Sequence, residues 1–373
     1  MKTDVLIIGG GVIGSSAAYE LSKAGKKVAL LERHDIGSGA SGMSAAGLEA
    51  QLDVREGDAS FSNLLIESRA LFPELAKELA AIGIDIGFEP CGILRLAKNE
   101  EESLKLKKRM DWQAGCGWRV EWFGENELKG RCPGLKGYGE GLFYADDGQI
   151  LASRFTSGLA EAARRRGCSV QEHCEVLSIH SSASSVQVKT QKGSWDAGQV
   201  IIAAGPWADQ LLSPLGMALH LEPVRGQLLL LDMPKRLLPF MIYTAQGYLV
   251  PKADGTLIIG TTQERVGFST ATTETAVHSL KKFALATVPE LARCRFIGAV
   301  AGLRPGGLPG DIPAIGPLPG IDNVFVAAGH FKNGMLLAPI TAKMLAAQLL
   351  DQKPPLPLEP FLPSRLFNRS AVR

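Results

Sequence analysis

Several things are missing from this 373-residue chain. No apolar run approaches the roughly 18 residues that cross a bilayer, and the stretch 228–231 is closed by Gln227 and Asp232. The six cysteines are far apart and form no C-x-x-C pair or Cys/His cluster. A disulfide framework and a zinc site are therefore excluded, and the cysteines read as small buried side chains in a reducing compartment. Charge of one sign is also absent: 40 Lys and Arg face 38 Asp and Glu, for a net charge of +2. That balance lacks the basic footprint of a nucleic-acid binder. With 46% apolar and 21% charged residues, disordered and coiled-coil chains drop out too. The N-terminal stretch could be mistaken for a signal peptide, but Asp4 and three consecutive glycines argue against an apolar targeting helix. The expected location is the cytoplasm.

What the chain has in quantity is glycine, 42 residues. The first cluster is informative. Residues 5–8 read as a buried strand that breaks at Gly9-Gly10-Gly11; from Val12 the apolar positions Ile13, Ala17, Leu21 and Ala24 follow a helical stripe stopped by Gly25. A second apolar strand, 28–31, ends at Glu32, completing a βαβ opening. Further helices are predicted at 61–79, divided near Pro73, and at 100–114, 152–166 and 272–286, with a last amphipathic helix at 334–350. Strands are predicted at 93–96, 186–190, 200–204, 227–231, 248–251, 257–259, 295–303 and 324–327. At about 150 residues per domain the length suggests two domains, or one large domain with an insertion. Helix and strand alternate at the two ends while strands dominate from 220 to 304, so the expected fold is α/β, a Rossmann-like nucleotide domain with an inserted, mainly antiparallel sheet domain.

Gly9-x-Gly11-x-x-Gly14 lies between strand and helix. There the first glycine allows a tight turn, the second lets backbone amides reach a pyrophosphate and the third lets the helix lie close to the sheet. Glu32 is placed to accept hydrogen bonds from an adenosine ribose, and its carboxylate would repel the 2′-phosphate of NADP. NAD and FAD share this pattern. Two further strands each end in Ala-Ala-Gly, at Gly205 and Gly329, and the second leads through His330-Phe331-Lys332-Asn333 into the last helix at Gly334. A helix N-terminus with Lys332 beside it suits the flavin edge that becomes negative on reduction.

These residues resemble the glycine oxidase (ThiO) branch of the D-amino acid oxidase group of FAD enzymes. The matching pieces are IIGGGVIGSSAAYEL, SAAG at 44–47, VIIAAGPWAD at 200–209, EPVRGQ at 222–227, YLVP at 248–251, AGLRPG at 301–306 and AAGHFKNGMLLAP at 327–339. The resemblance implies a GR2-type FAD domain at 1–83, 144–219 and 305–373, with a substrate-binding domain at 84–143 and 220–304. It implies non-covalent FAD, since no cysteine stands where monomeric sarcosine oxidases attach their flavin. The implied cofactor contacts begin with Gly9, Gly11, Val12, Ile13, Gly14, Glu32 and Arg33. They continue through Ser41, Ser44, Ala45, Ala46, Gly47 and Leu48 to Val176, Ala204, Gly205 and Trp207. They end at Arg304, Gly329, His330, Lys332, Asn333, Gly334 and Met335.

The implied reaction is oxidation of glycine, sarcosine and small D-amino acids by hydride transfer from Cα to flavin N5. The imine is hydrolysed to a 2-oxo acid, glyoxylate from glycine, and O2 becomes hydrogen peroxide. In many bacteria the family supplies glycine imine for the thiamine thiazole, and its members include homotetramers. Arg304, ending the strand AVAGL in an Arg-Pro-Gly turn, matches the residue that binds the substrate carboxylate, and a guanidinium fork suits that role. Tyr248 matches the family's active-site tyrosine, whose hydroxyl can donate to the same carboxylate, and from its own context it reads nearly equally as a core tyrosine in a strand. No acid or base is assigned, because a deprotonated amine can drive the transfer by its own lone pair. His330 reads equally as a flavin neighbour and as a capping or packing residue. The chain departs from the pattern at Lys332, where relatives have arginine, at Gln246 and Gln263 bordering the substrate pocket, and in a longer turn after Arg304. Substrate preference is therefore open. So is a related dehydrogenase that passes electrons to a quinone or partner subunit, a flavin-binding subunit inactive alone, or an NAD enzyme.

Overall fold

The computed structural model describes residues 1–233 and 235–367. Two large sheets organise it. In the first, the strands run in the order Ala314–Leu318, Ile321–Ala328, Gly193–Ile202, Lys2–Ile8, Val28–Leu31 and Ser169–Gln171. All neighbours are parallel except the first pair. Val5 and Ile7 enter one apolar cluster while Leu6 and Ile8 enter another. Burial on both faces is why this strand reads as an unbroken apolar run. Ile8 is in register with Leu31 and Ile202, and Ile202 with Val326, so four strands end together at one edge. Ligands of open α/β sheets bind off that edge.

The helix Val12–Lys23 returns over this sheet, and a Cβ added at Gly14 would collide with the carbonyl oxygen of Gly9. Against it lies the last long helix, Gly334–Leu349. The sequence reading of that helix as amphipathic is corrected: all but Gly334, Lys343 and Gln348 are buried, because helices Val12–Lys23 and Ala59–Ala70 cover it as well. The break at Pro73 appears as two helices, Ala59–Ala70 and Phe72–Ala81, with Pro73 in the first turn of the second.

The second sheet is mostly antiparallel, in the order Arg295–Gly306, Glu222–Asp232, Thr256–Gly260, Tyr248–Pro251, Met241–Tyr243, Ile93–Ala97, Glu140–Tyr144 and Val120–Phe123. Its alternation divides the side chains: Leu229, Leu249 and Ile259 pack with Phe283 of the helix Glu274–Thr287, while Tyr243 and Tyr248 belong to the other face. That other face looks towards the edge where the first sheet's strands end, as the cleft residues show below. A short pair, Gly47–Leu48 with Gly148–Gln149, connects the two regions. The part 368–373 of the expected FAD domain lies outside the described residues. All six cysteines are free, and Cys116 is exposed rather than buried, at the end of a helix. No helix of the described residues is long and apolar enough to cross a membrane.

Candidate active site

Between the two sheets runs a cleft of about 670 Å³. Its first wall is the glycine turn. Gly9 has φ of +111°, and a Cβ there would strike the carbonyl of Ala203, so only glycine fits. Gly11, Val12 and Ile13 line the cleft at the helix N-terminus, where the first amides have no intrahelical acceptor. Ser41 Oγ accepts from Val12 N at 2.9 Å. Glu32 accepts from Gly10 N at 2.7 Å and from His34 N at 2.9 Å, which fixes its carboxylate at the mouth of the cleft with lone pairs to spare. Arg33 stacks 4.1 Å over the ring of Trp207, and Val176 and Gly205 continue this end.

The far end lies beneath the second sheet. Arg304 projects from inside the strand Arg295–Gly306, so the expected Arg-Pro-Gly turn is corrected: the chain stays extended through Gly306, and the bend comes later. The Arg304 guanidinium lies over Gly226, where any Cβ would overlap it, and donates to Thr261 Oγ1 at 2.8 Å and to the Thr262 carbonyl at 3.2 Å. Tyr248 lies in the same way across Gly260. Burial pushes the Tyr248 hydroxyl up to about 12, with Arg304 opposing, so it stays protonated and able to donate.

Most of the sequence-derived residues meet on this one surface: Ser44, Ala45, Ala46 and Gly47, Ala204, Gln263, His330, Lys332, Gly334 and Met335 line it together with those above. Five do not. Gln246 is exposed at the turn between Tyr243 and Tyr248, away from the cleft. Leu48 points into the core, since alternation along its strand turns it away from the face of Gly47. Gly14 and Gly329 are close-packing glycines, the latter facing the side chain of Leu308, and Asn333 is buried behind the wall.

Of two residues just before the last helix, Lys332 differs from expectation. Lys332 reaches the cleft, but its ammonium is held by Asp53 Oδ1 at 2.7 Å and is no free charge. His330 is buried, shares a hydrogen bond with Thr341 at 3.0 Å, and burial drives its pKa down to about 3, so it is neutral. Sequence reading missed Glu49, Asp53, Tyr243 and Phe268. Glu49 lines the cleft from the position between the short strand Gly47–Leu48 and the helix Ala50–Asp53, and no local sequence pattern marks it.

The residues fit an extended dinucleotide. A turn that excludes Cβ atoms, a helix N-terminus, an acidic group beyond it and a long cleft leading to a second sheet match the anionic centre, the ribose and the ring system of FAD in turn. No group of His, Cys, Asp and Glu among the described residues could hold a metal.

Comparison agrees with this geometry. Residues 4–348 match the family of FAD dependent oxidoreductases, DAO. The chain is 35% identical over 356 residues to the glycine oxidase of Geobacillus kaustophilus, covering 94% of each chain. It is 32% identical to the hydrogen cyanide synthase subunit HcnC of Pseudomonas protegens, covering 99% of this chain and 97% of that one. The crystal structure of glycine oxidase from Geobacillus kaustophilus superposes with a TM-score of 0.93 at 34% identity, over 97% of this chain and 98% of that chain.

Proposed function

Because the chain belongs to the FAD dependent oxidoreductase family, with FAD as its cofactor, we propose that it is an oxidase of glycine, sarcosine and small D-amino acids. When bound, FAD supplies the two-electron acceptor, flavin N5, for the hydride that leaves the substrate Cα. The observation that carries the reading is the pairing of Arg304 with Tyr248 on a floor of glycines at the far end of the cleft. Both are donors, and a guanidinium with a protonated phenol beside it is suited to hold one carboxylate. Thr261 and Thr262 keep the guanidinium from turning away. A fixed carboxylate leaves Cα one bond away from its anchor, which is the positioning that this transfer needs. The product imine would hydrolyse to a 2-oxo acid, with O2 reduced to hydrogen peroxide. The resemblance to the ThiO branch extends the proposal to supplying glycine imine for thiazole synthesis.

Similarity to a subunit of hydrogen cyanide synthase supports a second reading, a dehydrogenase that passes electrons to a quinone or partner subunit. Anaerobic mixing of the purified yellow protein with glycine, sarcosine, D-alanine and D-proline tests the first half of either reading by flavin bleaching. No bleaching with any of them refutes both. Peroxide released under air separates the oxidase from the dehydrogenase.

A further inference from the structure

The substrate end carries charge of both signs. Arg304 and Tyr248 line the cleft there. Glu49 lines it too, with a carboxylate oxygen lying against Gly47, in the space where a side chain there would begin. The Tyr243 hydroxyl donates to Glu49 Oε1, and the Tyr243 ring lies 5.2 Å from that of Tyr248. Arg304, Tyr248, Tyr243 and Glu49 thus form one continuous path from a cation to an anion. Nothing in the carboxylate-binding role of Arg304 calls for an acid at the opposite end. A partly buried carboxylate accepting from a single phenol keeps lone pairs free for a further donor, and no other hydrogen bond from the described residues reaches it.

We propose, resting on the amino-acid oxidase reading above, that Glu49 receives the substrate's ammonium group and takes a proton from it. The amino acid then lies with its carboxylate at Arg304 and its nitrogen at Glu49. The step is a plain transfer: one N–H bond breaks, one O–H bond forms on Glu49, and the electron pair stays on nitrogen, where it is needed for loss of hydride from Cα. A neutral amine and a neutral carboxylic acid replace an ion pair, so no net charge is created in a low-dielectric site.

Burial raises the Glu49 carboxyl to about 7, and Asp53 and Asp147 push the same way, while Lys332 and Tyr243 oppose. Tyr248 and the buried Lys252 also feel its charge. A proton acceptor in this range is half-ionised near neutrality, which suits general base work. The same acid would repel substrates that carry a second carboxylate next to nitrogen.

The test uses the FAD-loaded protein with glycine as substrate and acetate, which has the carboxylate but no amine, as a binding probe read by the flavin absorbance spectrum. In the wild-type protein kcat/KM for glycine should rise through about pH 7, while acetate binding weakens by about tenfold from pH 6 to pH 8.5 as Glu49 becomes an anion. In Glu49→Gln the glycine rate should fall by about 10²-fold and its acid limb should move towards the amine's own ionisation. Acetate should bind the variant at least as tightly as it binds wild type, with no pH trend. A merely structural role would weaken both ligands and leave the acid limb in place, and either result overturns the inference. So does a flat acetate profile in the wild-type protein, which needs no variant. If no amine bleaches the wild-type flavin, the oxidase reading itself fails and the inference falls with it.

Discussion

The guanidinium of Arg304 lies over the backbone of Gly226, in the space that the Cβ of any other residue would occupy. The two belong to neighbouring antiparallel strands, with Gly226 opposite Gly302 and Val224 opposite Arg304, so the contact is diagonal across the ladder. Glycine in a strand interior gives up side-chain packing, and here the space gained is filled by the charged fork.

Gly226→Ala should therefore displace Arg304 without removing it. The apparent affinity for amino acids is expected to fall by up to about 10²-fold, the cost of misplacing a positioning group by an ångström or so. FAD should stay bound, because Gly226 is remote from the glycine turn. Arg304→Lys should give a similar loss, since a point charge cannot reproduce a two-pronged grip. Steady-state kinetics with flavin content measured in parallel check both; unchanged KM in either variant would remove the carboxylate role from Arg304.

Gly11→Val tests the other end of the cleft. A Cβ at position 11 would meet Ser41 Oγ at 3.2 Å, and the branched side chain would fill the space in front of the helix N-terminus. The protein is expected to fold and to purify without yellow colour. Full retention of flavin absorbance would refute the pyrophosphate assignment.

Much of this arrangement is legible in the sequence because it depends on local rules. The strand–glycine–helix opening needs only apolar period and turn chemistry, and the observed bounds Val28–Leu31 and Tyr248–Pro251 match the sequence reading. Contacts between distant segments are less accessible. Arg225 shows this well: it is buried by an ion pair with Glu264 and a 2.7 Å bond to the Ala271 carbonyl, partners some forty residues away. Lys332 looked like a free charge for the flavin because Asp53, which neutralises it, lies 279 residues earlier. The strands Met241–Tyr243 and Val120–Phe123 are not among those the sequence predicts. Such strands are stabilised by their neighbours in the sheet rather than by their own pattern.

The neutral His330 makes stability depend on pH in a definite direction. Its pKa is lowered to about 3 in the fold, against the ordinary 6.5 of the unfolded chain. Below pH 6.5 the unfolded chain takes up a proton that the folded protein refuses, so stability is lost as pH falls, by about 1.4 kcal/mol per pH unit. At pH 5 that is about 2 kcal/mol. Asp147, raised to about 6, works in the opposite sense, so the effect must be read by difference. His330→Asn, which can still bond Thr341, should gain about 2 kcal/mol on wild type between pH 7 and pH 5 in urea unfolding. Parallel curves for the two proteins would show that His330 titrates normally.

Lys332 is the partner of a buried acid. The side chain of Asp53 is 9% exposed and its Oδ2 atom has no hydrogen-bond partner, so Lys332 supplies its main compensation. Lys332→Met is expected to cost about 1–3 kcal/mol, discounted because the lysine is itself 38% exposed. The substitution should also raise the Glu49 carboxyl further, since Lys332 is the largest influence holding it down. Lys332→Arg should leave both nearly unchanged. Urea unfolding measures the first effect, and the acid limb of the pH–rate profile measures the second, which should move to higher pH in Lys332→Met alone.

A loop of the second sheet reaches across to the nucleotide end of the cleft. Phe268, 47% exposed, stacks on Trp207 with ring centroids 5.5 Å apart, and the Arg33 guanidinium lies over the same indole at 4.1 Å. The three form one cluster, with Arg33 and Phe268 both packed on Trp207, built from three separate segments. An exposed aromatic ring on a loop gains little by itself, but a stack of this kind contributes about 1 kcal/mol per contact. Phe268 lines the cleft, so the contact also narrows the path by which a bound dinucleotide would leave. Phe268→Ala should therefore raise the dissociation rate of FAD by about 5- to 10-fold, the equivalent of one such contact, and leave kcat with saturating FAD unchanged. Trp207→Ala should be more severe, because it removes both contacts at once. Flavin release followed by the recovery of its fluorescence on dilution reads both variants. If Phe268→Ala releases FAD no faster than wild type, the stack is surface packing and the loop has no part in retaining the cofactor.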